Sequence, residues 1–181
     1  MTNYVYIAQS LDGFIAGPNG ELEWLNEIEN PDGIDFGYAE FIGQIDALVM
    51  GRKTFEVVMS FNDWPYFKPV YVASSTLKSI PQKLAGKAFI TKGIPLEIVE
   101  MLNSKGLRNL YIDGGALIQS FLSAGLIDKL IITTIPVILG AGIPLFGSLG
   151  SKTRLKLDGS QALIGQTVQS RYSVISEPNP N

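Results

Sequence analysis

Asp46-Ala-Leu-Val-Met-Gly-Arg-Lys-Thr-Phe-Glu56 decides the fold, because a short apolar run is followed at once by a glycine, two cations and a hydroxyl. The apolar run predicts a buried strand, and the residues after it predict a helix start. A helix start presents unpaired N–H groups and the positive end of a dipole, so Arg52, Lys53 and Thr54 there favour phosphate. The stretch indicates an anionic cofactor or substrate. The alternative is a solvated helix start whose cations face water.

The amino-acid composition and net charge limit the number of domains and the kinds of molecule that the chain can bind. The chain has 181 residues, of which 46% are hydrophobic, enough for one core and short for two. We expect one domain over 1–176 and a disordered tail over 177–181. A net charge of -3 gives no broad attraction to nucleic acid or anionic membranes. We therefore expect a small-molecule site and no nucleic-acid or membrane partner.

The chain contains neither cysteine nor histidine. Their absence from the sequence excludes disulfides, thiolate nucleophiles, Cys- or His-ligated metal and a histidine general base. Carboxylates, Lys, Tyr or a cofactor must move protons, and we expect no metal site. The N-terminus shows no basic region followed by a long apolar one, and no window reaches about 18 apolar residues, so we expect a cytoplasmic location.

Strand and helix patterns alternate through the first three quarters of the chain. Strands are predicted at 4–8, 47–50, 70–73, 87–91, 109–112, 129–135, 155–163 and 167–175, and helices at about 36–45, 52–59, 95–103 and 117–122. The glycine-rich loop 13–20 is predicted to be mobile and to lie beside a site. The pattern indicates an α/β fold, a mostly parallel sheet that closes with an antiparallel hairpin around Gly165.

Two further strand ends resemble the first in chemistry. Asp113-Gly-Gly115 allows backbone to approach a ligand closely, although a tight turn is the simpler interpretation. Ser74-Ser-Thr76 offers hydroxyls that bind a phosphate or cap the next turn. No Walker A loop and no three-glycine dinucleotide fingerprint is present. Three strand ends at one edge favour a shared phosphate or pyrophosphate site.

Three more residues are candidates for the substrate side. Asp35 is a candidate acid, and a helix N-cap is its structural alternative. Asp12 is equally suited to a turn. Trp24 either packs in the core or forms a wall for a ring-shaped substrate.

Together these segments resemble the dihydrofolate reductase superfamily, in the branch that contains the C-terminal reductase domain of the bifunctional riboflavin-biosynthesis deaminase/reductase. The resemblance runs from residues 10–16 through 49–56 and 113–115 to 136–146, in that order. It implies a three-layer fold, an eight-stranded sheet flanked by four helices, with NADPH bound across the strand ends.

The resemblance also assigns cofactor contacts by position. The nicotinamide would be bordered by Ala8, Ile15 and Ala16, and the phosphates would be bound by Gly51, Arg52, Lys53 and Thr54. The 2′-phosphate would lie nearest Arg52 and Ser74 or Ser75. The pyrophosphate would be held by Gly114, Gly115, Ala116 and Leu117.

The implied activity is hydride transfer to a heterocyclic or ribosylaminopyrimidine-type substrate, as in riboflavin biosynthesis. Asp35 stands 16 residues before Gly51, the spacing of the carboxylate in dihydrofolate reductases, so dihydrofolate reductase activity is an alternative. Asp35 would be the proton source, with Asp12 and Trp24 at the substrate. We expect a standalone reductase and, as for riboflavin-type reductases, a homodimer. Two competing hypotheses are a non-catalytic NADPH-binding module and a purely structural partner protein.

Overall fold

The structure is a computed structural model that describes residues 1–147 and 149–175. Within these ranges ten strands and four α-helices form, joined by loops and three short 3₁₀ helices. In chain order they are β1 Thr2–Ser10, β2 Phe14–Ala16, α1 Tyr38–Gly43, β3 Ala47–Gly51, α2 Arg52–Met59, β4 Val70–Ala73, β5 Ala88–Thr91, α3 Pro95–Ser104, β6 Asn109–Asp113, α4 Gly115–Ser123, β7 Lys129–Ile135, β8 Ile143–Pro144, β9 Arg154–Ala162 and β10 Val168–Ile175.

Eight of the strands form one sheet in the order β5-β4-β3-β6-β1-β7-β10-β9. Neighbours pair in parallel from β5 to β7, and β10 runs antiparallel to both β7 and β9. The predicted mostly parallel sheet with a closing antiparallel hairpin is confirmed.

Strand β3 divides two apolar cores. Ala47 and Val49 pack on one face of the sheet with α3 and α4, whereas Leu48 and Met50 pack on the other with α1 and α2. All four side chains are 0% exposed, which explains why the strand is a continuous apolar run rather than an alternating one. Helices therefore cover both faces of the sheet, and the open ends of the central strands remain for a site.

Two local predictions need correction. The loop 13–20 contains a short strand, β2, which pairs antiparallel with β8. The first helix begins at Tyr38 and not near residue 36, because Phe36 and Gly37 adopt positive φ angles of 56° and 83°. The left-handed backbone at these residues cannot continue into a right-handed helix.

Among the described residues, no helix is long and apolar enough to cross a membrane. The predicted tail 177–181 lies outside the described residues.

Candidate functional site

Strands β1 and β6 separate at their carboxyl ends. They pair only from Thr2 to Tyr4, whereas β1 stays paired with β7 as far as Ser10. Beyond the last pair, the Tyr111 hydroxyl donates a 2.8 Å hydrogen bond to the Tyr6 carbonyl and bridges the gap. A crevice at the carboxyl ends of parallel strands is the usual ligand position in such sheets.

Gly114 and Gly115 line this crevice where other side chains leave no room. A Cβ at residue 114, whose φ is 91°, would overlap the Oγ1 atom of Thr54. A Cβ at residue 115 would lie 2.9 Å from Ile15 Cδ1 and 3.3 Å from the Pro144 carbonyl oxygen. The structure thus brings together three of the predicted cofactor segments, and glycine is required for the contact.

Two helices begin side by side at these strand ends. Gly51 precedes α2 and Gly114 precedes α4, and neither helix has a side chain bonded to its first N–H groups. Strands β3 and β6 are neighbours, so both sets of N–H groups lie at one edge of the sheet. Two open helix N-termini suit the two phosphates of a dinucleotide, and this geometry fits NADPH.

The two cations that follow Gly51 are both exposed. Arg52 forms a 2.9 Å ion pair with Glu56, one turn further along α2. Such a pair in water is weak, so Arg52 can be drawn to a stronger anion. Lys53 lies beside it, and both remain available to a phosphate at this end of the sheet.

Ser74 and Ser75 follow β4, the next strand along. The Ser74 hydroxyl accepts hydrogen bonds from the backbone N–H groups of Leu77 (2.9 Å) and Thr76 (3.2 Å). It therefore holds the turn, which is one of the two roles predicted for this segment. Because Gly51 pairs with Ala73, both serines lie near the start of α2.

The remaining predicted cofactor residues lie around the same crevice. Ala16, on β2, is 6% exposed and pairs with Ile143. Ala116 and Leu117 occupy the first turn of α4.

A cavity of about 240 Å³ opens beside the crevice. It extends from β1 to α1 and β7, with Ala8 at the position that the resemblance assigns to the nicotinamide. Its walls are formed by Tyr6, Ala8, Leu25, Ile28, Asp35, Phe36, Tyr38, Thr133 and Ile135. This composition, mostly apolar with a few polar groups, is typical of small-molecule sites.

Asp35 lies at the rim of the cavity, two residues before Gly37, which is the N-cap of α1. Its carboxylate accepts hydrogen bonds from the backbone N–H groups of Ala39 (2.8 Å) and Gly37 (2.9 Å). These bonds lower the pKa of Asp35 below its ordinary value. Asp35 thus supports the start of α1 without being its N-cap, so the predicted N-cap position is wrong by two residues. Its predicted role as an acid stays a prediction.

Asp12 joins two loops. Its carboxylate accepts hydrogen bonds from Ser10 Oγ (2.6 Å) and from the N–H groups of Leu139 (3.1 Å) and Gly140 (2.8 Å). It is not among the residues that line the cavity. Its predicted contact with substrate stays a prediction.

Trp24 lies in a 3₁₀ helix at Glu23–Glu27 and is 6% exposed. Its neighbour Leu25, rather than Trp24, lines the cavity. The indole is buried, and its predicted contact with substrate stays a prediction.

Asp113 is an acid that was not among the candidates predicted from the sequence. Burial raises its pKa to about 6, although hydrogen bonds from the Gly114 N–H and the Tyr66 hydroxyl oppose the shift. Burial, and to a smaller extent the negative charge of Asp113, raises the pKa of Tyr38, a cavity residue, to about 12. The sequence signal that could have identified Asp113 is its position, a carboxylate at the end of an apolar strand and directly before two glycines.

A family model described as the RibD C-terminal domain matches residues 4–169. The uncharacterized protein YwjB of Bacillus subtilis strain 168 is 39% identical over 171 residues, 93% of this chain and 95% of that protein. A crystal structure from Shewanella sp. PV-4, provisionally named a riboflavin biosynthesis protein, is 44% identical with a TM-score of 0.94, over 97% of this chain and 100% of that one.

More distant structures share the fold alone. A deaminase/5-amino-6-(5-phosphoribosylamino)uracil reductase from Thermotoga maritima is 14% identical with a TM-score of 0.72, over 96% of this chain and 56% of that one. A dihydrofolate reductase from Enterococcus faecalis, complexed with NADP(H), is 17% identical with a TM-score of 0.64, over 97% of both chains.

Proposed function

The chain belongs to the RibD C-terminal domain family, and on that premise we propose that it is an NADPH-dependent reductase of the riboflavin-biosynthesis type. Its substrate would be a heterocyclic or ribosylaminopyrimidine-type compound with an electron-poor C=N or C=O carbon. One observation carries the proposal. The glycine turn at 114–115 contacts Thr54 at the start of α2 and Ile15 on β2, and the β1 residues Tyr6 and Ala8 line an apolar cavity of about 240 Å³.

The proposal that the chain binds NADPH is supported by the unpaired backbone N–H groups at the two helix starts. The N–H groups after Gly51 and Gly114 would hold the pyrophosphate, with Ala116 and Leu117 in the same turn of α4. Arg52 and Lys53, with Ser74 or Ser75 nearby, would hold the 2′-phosphate and favour NADPH over NADH. When bound, NADPH supplies the hydride, which no amino-acid side chain can provide.

The reduction also needs a proton, and Asp113 is the group we propose to hold it. It is the last residue of β6, directly before the glycine turn, and its carboxylate accepts hydrogen bonds from the Tyr66 hydroxyl and the Gly114 N–H. A pKa of about 6 leaves roughly a tenth of these carboxyls protonated at pH 7, a useful fraction for an acid. Asp113 would therefore hold a proton that it can donate near neutral pH.

Asp35, the acid predicted from the sequence, suits a different task. Two backbone N–H groups stabilise its ionised form, so its carboxylate holds a negative charge at the cavity rim and seldom carries a proton. Its role as proton source remains a prediction that can be tested directly. The variant Asp35→Asn removes the charge and keeps one of the two acceptor oxygens, so thermal unfolding is measured beside turnover to separate a loss of stability from a loss of the acid.

Dihydrofolate reduction is a second candidate, favoured by the position of Asp35 on the cavity wall. Oxidation of NADPH with dihydrofolate, simple pterins and ribosylaminopyrimidines separates the candidates, and the substrate with the highest kcat/KM identifies the activity. A rise in thermal stability with NADPH but turnover of no compound would instead favour a non-catalytic NADPH-binding module. No stabilisation by NADPH at all would favour a structural role.

We also propose that two copies of the chain associate through β9. This edge strand is exposed along all nine residues and carries Leu155 and Leu157 at 38% and 56% exposure. An exposed, partly apolar edge is normally covered by another chain. A cytoplasmic location stays a prediction from the N-terminal sequence.

A further inference from the structure

One wall of the cavity is an irregular stretch of chain rather than a strand or an α-helix. This stretch, residues 25–36, is called the wall segment below; it begins within the 3₁₀ helix Glu23–Glu27 and ends before α1. The cavity residues that belong to it are Leu25, Ile28, Asp35 and Phe36. Residues 29–35 are mostly exposed, so this part has little core of its own. Its position therefore depends on contacts with neighbouring parts of the fold.

The turn of the β9–β10 hairpin contacts the wall segment near its start. Gly165 lies in this turn and has a φ of 65°. A Cβ at residue 165 would overlap the Cγ2 atom of Ile28 and would lie 3.8 Å from the carbonyl oxygen of Glu29. Ile28 lines the cavity and Gly165 does not. Ile28 therefore contacts both the hairpin turn and the cavity.

Gln169, on β10 of the same hairpin, contacts the wall segment at its other end. It lies directly opposite Thr133 of β7 and is 1% exposed. Its Nε2 donates a 2.9 Å hydrogen bond to the Phe36 carbonyl and a 3.3 Å hydrogen bond to Thr133 Oγ1. Phe36 and Thr133 line the cavity, whereas Gln169 does not. Gln169 therefore reaches the cavity through these two residues.

Hydrogen bonds within the wall segment close its exposed part into a loop. The Asn30 side chain donates to the Ile34 carbonyl through Nδ2 and accepts from the Ile34 N–H through Oδ1, both at 2.8 Å. Among the described residues, the hydrogen bonds from the sheet to this loop both end at the Phe36 carbonyl, one from Gln169 and one from the Tyr6 hydroxyl. Gln169 thus provides one of the two hydrogen bonds that hold the loop on the sheet.

We infer that Gly165 and Gln169 are positioning residues for the substrate, because the β9–β10 hairpin holds the wall segment near both of its ends. This inference rests on the proposed function and adds two residues that lie outside the cavity lining. The candidate cofactor site is formed elsewhere, at the helix starts that follow Gly51 and Gly114. Changes in the hairpin should therefore alter the fit of the substrate and leave the affinity for NADPH unchanged.

The first experiment compares Gly165→Ala with the matched control Gly125→Ala. Residue 125 has a φ of 67°, so both alanines carry the same kind of backbone strain, but nothing lies within 4 Å of a Cβ at residue 125. The substrate is dihydrofolate or a ribosylaminopyrimidine, whichever the wild type reduces. Its KM should rise about fivefold in Gly165→Ala, as expected for residues in contact. The KM for NADPH should not change, and Gly125→Ala should change neither value. Equal substrate KM values in the two variants would overturn the part assigned to Gly165.

Ile28→Ala tests whether Gly165 acts through Ile28. The alanine removes Cγ2, the atom that a Cβ at residue 165 would overlap. In this background Gly165→Ala should change the substrate KM by less than about twofold. The loss of thermal stability caused by the φ angle should persist, because it does not involve Ile28. Additive effects of the two substitutions on KM would contradict a contact that positions the wall.

Hydrogen exchange tests the hold on the wall segment without any substrate. Gln169→Met keeps the length of the side chain and removes the donor, and Gln161→Met, at the exposed residue opposite on β9, is its matched control. Exchange at the N–H groups of Ile34 and Gly37 should quicken about fivefold in Gln169→Met, the equivalent of one lost hydrogen bond. Gly165→Ala should quicken it as well, whereas Gln161→Met should not, and exchange in strand β3 should not change in any of them.

The two measurements separate the positioning role from the proposed function. If the wild type reduces none of the compounds but exchange in the wall segment quickens as expected, the proposed function fails and the hold of the hairpin on the cavity wall stands. Unchanged exchange in Gln169→Met and Gly165→Ala overturns the inference, whether or not the protein is a reductase.

Discussion

Thr54 Oγ1 lies where a Cβ on residue 114 would have to be, so the first turn of α2 rests directly on the backbone of Gly114. The two helix starts of the candidate cofactor site are therefore in contact. A substitution at Thr54 or at Gly114 therefore affects both helix starts.

Gly114→Ala should lower both stability and NADPH affinity. The new Cβ overlaps Thr54, and φ at this residue is 91°, a conformation that costs alanine about 1–3 kcal/mol. Thermal unfolding with and without NADPH measures both effects. Gly43→Ala is the matched control, because nothing lies within 4 Å of its Cβ position. Equal unfolding temperatures for the two variants would contradict the close contact.

Asp113→Asn should lower activity strongly and raise stability at neutral pH. Burial raises the pKa of Asp113 to about 6, so ionisation of this carboxyl opposes folding above that pH. The destabilisation disappears as the pH falls toward 4, because the carboxyl is then protonated in the folded protein. The asparagine variant should thus be more stable than wild type above pH 6, by on the order of 2 kcal/mol, with the difference vanishing near pH 4.

The dependence of kcat/KM on pH tests whether Asp113 is the proton donor. Wild-type kcat/KM should fall as pH rises through about 6, because the protonated carboxyl is the donor. The residual rate of the variant should lack this step. A wild-type profile that is flat from pH 5 to 8 would argue against Asp113 as the acid.

Replacing both Arg52 and Lys53 by alanine should remove the preference for the phosphorylated cofactor. We expect the Kd for NADPH to rise by at least about tenfold and that for NADH to change little, because only NADPH carries the 2′-phosphate. Titration of both cofactors measures it. Glu56→Gln releases Arg52 from its ion pair and should tighten NADPH binding slightly. An equal loss of affinity for NADPH and NADH would mean that the two cations bind a part of the dinucleotide that both cofactors share.

Asp12→Ala should release the loop around residues 139–140. Hydrogen bonds, first from Ser10 and then from Gly140 and Leu139, hold the pKa of Asp12 below its ordinary value of about 3.9, so this connection is present above pH 4 and is lost as pH falls further. Hydrogen exchange at neutral pH should quicken at the N–H groups of Leu139 and Gly140. Asp32→Ala, also at an exposed loop aspartate, should leave their exchange unchanged.

Leu157→Lys should convert the proposed dimer to a monomer. Leu157 is 56% exposed on the edge strand, where a lysine disfavours strand pairing. Light scattering after size exclusion gives the mass of each form. Leu96→Lys, at a 47% exposed position of α3, controls for a general effect of charge. A monomeric wild type would refute the dimer.

Much of the fold follows from local sequence. The continuous apolar run of β3 and the helix start at Arg52 are predicted to the residue or within one, because burial on both faces of a parallel strand leaves a clear pattern. The hairpin β9–β10 is also predicted, since β-branched and apolar runs flank Gly165.

Other features depend on contacts that no local pattern reveals. Strand β2 has three residues and its partner β8 two, and they lie 127 residues apart in sequence when counted from Ala16 to Ile143. The late start of α1 depends on the positive φ of Phe36, a residue type that rarely adopts it. Burial raises the pKa of Asp113, and the Tyr66 hydroxyl that opposes this shift comes from the loop after α2, so neither effect is visible in the sequence around Asp113.

The short pairing between β1 and β6 has an evolutionary consequence. Three residue pairs join the half of the sheet that carries the helix starts at Gly51 and Gly114 to the half that carries the cavity walls on β1 and β7. Substitutions on β7 can reshape the cavity without touching either helix start. Ligand choice can therefore diversify among descendants of one ancestor while the dinucleotide half stays under unchanged selection.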